Sequence, residues 1–211
     1  MRFGRYFINS LFVAGGITCL VVFTSSLAGY VFAKFKFKFK EVLFTVLIST
    51  MMIPFVTIML PLYVMVSDFG WVNSFKGLII PMCLSAFGIF LMRQFIENIP
   101  TDLIEAARID GASEWWIYFM VIWPLSLPAI SALGIFTFMW SWNNLLWPLL
   151  VVSKKEMYVV TLALASLQWE TGIRYDVVIT GTALSILPIL VVYAFFSKSF
   201  IRGLSFTGLK Y

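Results

Sequence analysis

Residues 100–128 read P-T-D-L-I-E-A-A-R-I-D-G-A-S-E-W-W-I-Y-F-M-V-I-W-P-L-S-L-P, the longest run of the chain in which acidic residues cluster. Asp102, Glu105, Asp110 and Glu114 stand there against a single interior cation, Arg108. Asp102 followed at i+3 by Glu105, just after Pro100, is a capping-box-like helix start. A helix from about Leu103 sets Ala106 and Ala107 side by side on a small surface open to close approach. Asp110-Gly111 is a stop-and-turn signal, because glycine accepts the left-handed backbone of a helix exit. Ser113 is then placed to cap a second helix carrying Trp115, Trp116, Tyr118 and Phe119 toward Pro124. The local reading is helix, glycine turn, helix, within a polar loop over residues 97–124.

On both sides of this loop the chain is apolar. It has 211 residues, 61% hydrophobic and 12% charged, too little polar surface for a soluble globule of that size. Apolar runs of about twenty residues recur, the length that crosses a hydrocarbon core roughly 30 Å thick. The expected fold is all-α, a polytopic membrane protein forming one transmembrane domain over residues 1–211. About five spans are expected, over residues 9–33, 42–66, 78–96, 125–151 and 177–196. A basic start at Arg2 and Arg5 resembles a signal peptide, but the apolar run is too long and lacks a small-residue cleavage site. Ser25 and Gly29 form a small-x-x-x-small pair that lets helices approach closely. Pro54 and Pro61 in the second span either kink a helix that lines a pathway or simply bend it.

Charge sets orientation. The net charge of +5 is spread among loops, so a nucleic-acid partner is a poor reading. The densest cationic run, K-F-K-F-K-F-K at 34–40, suits a juxtamembrane loop against anionic headgroups under the positive-inside rule. With the acidic loop inside, the inner segments hold Lys34, Lys36, Lys38, Lys40, Arg93, Arg108, Lys198, Arg202 and Lys210. The outer ones then hold Arg2, Arg5, Lys76, Lys154, Lys155 and Arg174. Residues 156–176, with Trp169, are expected as a partly helical outer connection.

Some chemistry is excluded. The chain contains no histidine, which removes His-based metal sites, triads and proton relays. Cys19 and Cys83 fall inside expected spans and read as small apolar residues. There is no G-x-x-x-x-G-K-[ST] phosphate loop, so any ATP chemistry belongs to another chain. No cofactor, metal or catalytic set is expected. An intramembrane enzyme needs a nucleophile with a base, and none stands out. An ion-coupled secondary transporter, the alternative function, needs ionisable groups near mid-membrane, and these spans hold almost none.

Glu105-Ala106-Ala107, Asp110-Gly111-Ala112 and Leu127-Pro128 resemble the E-A-A, G and L-P signature of ABC-importer permeases. F-G-I-F-L-M-R-Q-F-I-E-N-I-P at 87–100 is similar to the carbohydrate, maltose-permease-like branch. The resemblance runs from R-Y-F-I-N-S at Arg5 to G-L-S-F-T-G-L-K near the end. It implies a multi-pass permease subunit of the cell membrane, importing a sugar or related polyol. The implied partners are a second similar permease, two cytosolic ATPase subunits and an extracytoplasmic solute-binding protein. Permeases of this type usually have one more span, so the chain looks like a member lacking its first helix. The resemblance also implies that the loop docks on the ATPase through Asp102, Glu105, Ala106, Ala107, Arg108, Asp110 and Gly111. For Arg108, pairing within the loop is an equal alternative. The fourth span contains F-M-W-S-W-N-N-L-L-W-P at 138–148. Asn143 and Asn144 with Trp140, Trp142 and Trp147 offer either a sugar pathway or an aromatic belt with amides satisfied by neighbouring helices.

Overall fold

The computed structural model describes residues 3–170 and 175–207, and every regular element in them is helical. Arg2, Arg174 and Lys210, three of the cations counted for orientation, lie outside the described residues. Among the described residues, two stretches are long and apolar enough to cross a membrane: α1 (Phe3–Lys34) and Val178–Phe195 within α12 (Tyr175–Thr207). Up to five spans result when each bent helix pair counts as one.

The breaks have local causes. The apolar stretch expected over 42–66 is two helices, α2 (Lys40–Ser49) and α3 (Phe55–Asp68), parted after a 3₁₀ turn at Thr50–Met52. Ile53, the residue before Pro54, is extended at φ −84° and ψ 116°, as the proline ring demands of its predecessor. The stretch over 78–96 is divided in the same way, into α4 (Phe75–Ile79) with a 3₁₀ turn Ile80–Met82, then α5 (Ala86–Glu97). Ser85 caps α5 by accepting from the Gly88 amide at 3.0 Å. Further on, α6 (Thr101–Ile109) and α7 (Glu114–Ile117) lead through a π-helical segment, Tyr118–Ile122, into α8 (Trp123–Leu125). A 78° bend at Ser126 separates this run from α9 (Leu127–Trp142). The third bent pair, in the place of the fourth expected span, covers Glu114–Leu125 and Leu127–Trp142, where the expectation was 125–151. Two short helices, α10 (Leu146–Val151) and α11 (Val160–Glu170), precede α12.

The chain forms two compact units. One comprises Met1–Cys19, Pro54–Cys83 and Ile135–Phe195. Its core centres on Ala14, Phe138 and Trp142, against which Phe7, Ile189 and Val192 pack. Phe7 meets Trp142 edge-on at 5.5 Å between ring centroids. Two buried polar side chains of α1 hold the segment that leads into α11. Asn9 donates to the carbonyls of Glu156 and Tyr158 at 2.9 and 3.0 Å, and Ser10 accepts from the Val160 amide at 2.8 Å. That amide belongs to the first turn of α11 and has no partner within its own helix, so Ser10 caps α11 from outside.

The other unit comprises Leu20–Ile53, Leu84–Gly134 and Phe196–Tyr211. Here α1 and α5 approach closely at Gly29. A Cβ at this position would lie 2.6 Å from the Met92 Cβ and 2.9 Å from the Arg93 backbone nitrogen. Ser25, one turn earlier, lies against Gly88. Small residues on both helices thus bring the backbones together, the usual device where lipid supplies no hydrophobic drive for association.

Candidate functional site

The acidic loop folds as a short exposed helix with a closed exit. Pro100 is the N-cap of α6, with φ −55° and ψ 129° and no side-chain capping bond. The capping box expected from Asp102 and Glu105 is absent, because Pro100 starts the helix at Thr101 and shifts both carboxylates inward. Asp102 still lies in the first turn, where its charge favours the positive end of the helix dipole.

At the other end the expected turn is present. Gly111 has φ +80°, with nothing within 4 Å of where a Cβ would stand, so backbone conformation and not space calls for glycine. The Ala112 amide donates to the Ala107 carbonyl and the Gly111 amide to the Arg108 carbonyl, both at 3.0 Å. This is the paired Schellman closure of a helix end. Ser113 then caps α7 by accepting from the Trp116 amide at 3.3 Å. Helix, left-handed turn and second helix are consecutive, with no slack residue between them.

Within α6 only Ile104 is buried. Glu105 and Ala106 are exposed and Ala107 is half-buried. Beside them lies an open cleft of about 620 Å³ lined by Ala107, Asp110, Gly111, Ala112, Ser113 and Trp116. Arg108 Nε donates to Glu114 Oε1 at 2.7 Å, the intraloop pairing offered as one of its two readings. That bond holds the guanidinium above its already high ordinary pKa, so Arg108 is a fixed cation. Its guanidinium carbon also lies 5.7 Å from the centre of the Phe35 ring.

The loop is also held from outside, by residues of α1. Tyr30 of α1 donates to Glu114 Oε2 at 2.9 Å. Lys34 donates to the Ile99 carbonyl at 2.5 Å and to the Glu97 carbonyl at 3.2 Å. The latter are carbonyls at the C-terminal end of α5, where a cation is favoured. A polar spacing of i, i+4 and i+8 at Ser26, Tyr30 and Lys34, inside an apolar helix, was the available signal.

Asn143 and Asn144 stand at the turn between α9 and α10. Asn143 is exposed and its Nδ2 returns to the Met139 carbonyl at 2.8 Å. Asn144 Oδ1 accepts from the Trp147 amide at 3.2 Å, and its own carbonyl accepts from the Thr161 hydroxyl at 2.9 Å. Of the three tryptophans offered for stacking, Trp142 and Trp147 are buried. Their indole N–H groups donate to the Ser185 and Gly77 carbonyls. Trp140 alone of the three is exposed.

An all-helical membrane subunit with a rigid, glycine-closed loop helix is the class that fold and site define. Residues 25–205 match the family model for the binding-protein-dependent transport system inner membrane component, and the chain belongs to that family. It is 38% identical over 206 residues to the arabinooligosaccharides transport system permease AraQ of Bacillus subtilis, covering 98% of this chain and 73% of that one. Its identity to the lactose transport system permease LacG of Rhizobium radiobacter is 37%, over 94% of this chain and 72% of that one. The fold resembles a chain in the crystal structure of a bacterial ABC transporter that imports the acidic polysaccharide alginate. The TM-score is 0.80 at 23% identity, covering 93% of this chain and 74% of the other. The chain is thus a membrane permease subunit of an ABC importer, a transport component and not an enzyme.

Proposed function

We propose that this permease carries a sugar or related polyol across the cytoplasmic membrane and is driven through α6 by a separate ATPase. The observation that carries the docking role is the Schellman-closed helix itself. It is anchored by one buried side chain, Ile104, and leaves Ala106 and Glu105 exposed beside an open cleft. A small exposed face lets a partner's surface approach the helix backbone, and a rigid exit prevents the helix from rotating when pushed. Asp102, Glu105, Ala106, Ala107, Asp110 and Gly111 form the proposed docking surface, with Arg108 bracing it from within. A second permease of the same kind, two ATPase subunits and a solute-binding protein complete the proposed assembly. The sugar assignment rests on the AraQ and LacG relatives. Asn143 and Asn144, beside exposed Trp140, are the proposed solute contacts.

Gly111→Pro tests the docking role, since proline fixes φ near about −65° and removes the amide that closes the turn. The variant should reach the membrane and lose ATPase co-purification by at least about tenfold, because neither the left-handed turn nor the Gly111–Arg108 bond can form. Glu105→Lys should act in the same direction. Normal ATPase retention and normal coupled uptake in both variants would sink the docking role. Uptake that persists with no ATPase present would instead favour an ion-coupled secondary transporter.

A further inference from the structure

Ser26, Tyr30 and Lys34 recur every four residues, so they share one face of α1 and span about 12 Å of its axis. Each makes a polar contact with a different part of the loop assembly. Ser26 Oγ and Tyr118 Oη are 2.7 Å apart, in the π-helical segment beyond α7. Tyr30 Oη donates to Glu114 at the first position of α7. Lys34 Nζ holds the carbonyls that lead into α6, and lies 3.5 Å from Thr101 Oγ1 at its first position. The loop helix is therefore tied to α1 both before its start and after its exit. Glu114 is the junction: Oε1 takes Arg108 from α6 while Oε2 takes Tyr30 from α1. Apolar packing contributes little to this mounting, because Ile104 is the buried residue of α6, while Leu103 and Ile109 are 47% and 87% exposed. A helix with one buried side chain keeps its orientation only if polar ties supply it.

We propose that Tyr30 is a positioning residue of the transport cycle: through Glu114 and Arg108 it clamps α6 to α1, so that the two helices move together when the ATPase closes. This rests on the docking role of α6. Without the clamp, the exit of α6 would swing about the Ile104 contact and the Lys34 tie at its start, and the push would be dissipated in the loop. Tyr30→Phe removes the single oxygen that reaches Glu114 and leaves the aromatic ring, its packing and the Arg108–Glu114 pair in place.

The test is a distance measurement on the complete importer, with its ATPase subunits, in lipid nanodiscs. Spin labels are set at Leu20→Cys on α1 and Leu103→Cys on α6, in a Cys19→Ser, Cys83→Ser background. Distances are read by pulsed electron resonance before and after trapping with MgATP and vanadate, which requires no knowledge of the solute. With Tyr30 present the distance should be the same in both states. With Tyr30→Phe it should match before trapping and acquire a second, displaced population after it, while ATP hydrolysis measured without vanadate is retained. A residue that merely stabilises the fold would alter both states alike. Three results would overturn the proposal: a distance that shifts on trapping with Tyr30 present, one that stays constant in Tyr30→Phe, or ATPase loss caused by Tyr30→Phe itself. Should Tyr30→Phe not accumulate, Glu114→Ala carries the same reading, because it removes the acceptor that joins Tyr30 to Arg108. Failure of docking is separately visible as ATPase retention in Gly111→Pro, whatever the distances show.

Discussion

Arg93 shows how a single ionic residue is housed in α5. It is 7% exposed, and its Nη2 meets both oxygens of Glu41 at 2.9 and 3.0 Å. Its guanidinium lies 3.9 Å over the Phe44 ring. Nε and Nη1 are buried without a hydrogen-bond partner among the described residues. The site thus combines one well-made pair with two unsatisfied donors, and the two kinds of substitution should separate. Glu41→Ala leaves the cation buried and unpaired, and should cost about 1.5–3 kcal/mol. Arg93→Met removes the buried charge with its unsatisfied donors and keeps much of the volume, so it should cost less. Thermal unfolding of the two purified variants checks the order. Arg93→Met melting below Glu41→Ala would show that the guanidinium's other contacts, the Phe44 ring among them, contribute more than its unsatisfied donors cost.

Between α1 and α5 the controlling quantity is backbone separation. At Gly29 the atoms that a Cβ would strike belong to the Met92 Cβ and the α5 backbone, and neither can rotate away. Gly29→Ala should therefore push the helices apart and cost about 1–3 kcal/mol, the usual penalty for overpacking. Because Arg93 lies at the same contact, the variant should also loosen its pair with Glu41. A fall in thermal midpoint comparable to that of Glu41→Ala is the expected result. An unchanged midpoint would mean that the contact yields without cost. The same element-scale logic applies to α6, whose start at Pro100 and exit at Gly111 are both set by backbone chemistry. Its orientation is set by α1.

For the whole permease, the open question is the solute. Asn143 and Asn144 hold the turn after α9 through their hydrogen bonds to Met139 and Trp147. A double replacement by Leu removes these bonds together with any solute contact, so assembly and affinity are read side by side. The assembled importer should retain its ATPase and basal hydrolysis, while uptake falls several-fold in apparent affinity. Uptake would be assayed with a panel of labelled arabino-oligosaccharides, lactose and polyol phosphates in proteoliposomes. Unchanged affinity for whichever compound is taken up would return both amides to a purely structural role. The panel also tests the sugar assignment directly, since uptake of none but a phosphorylated polyol would displace it.

What could be read along the chain is what nearest neighbours decide. The turn at Gly111 follows from the left-handed backbone that Asp110-Gly111 permits, and the start of α7 from the short reach of Ser113 to the Trp116 amide. The apolar runs declare helices because a bilayer leaves backbone groups no other partner. The capping box at Asp102 and Glu105 failed by the same local logic, since Pro100 had already set the helix start. Beyond that the sequence is silent about which face is buried. Val42 and Leu43 are 60% and 52% exposed while Phe44 is 7% exposed, yet all three are apolar. Facing lipid and facing protein call for the same residues, so hydrophobic periodicity carries little directional information in a membrane. The contacts that orient α6 join residues far apart in the chain, Tyr30 with Glu114 and Lys34 with Ile99. Only the folded arrangement of α1 with α5 and α7 brings those groups within hydrogen-bond reach. The loop's shape is therefore written in its own residues, and its mounting is decided by the tertiary structure.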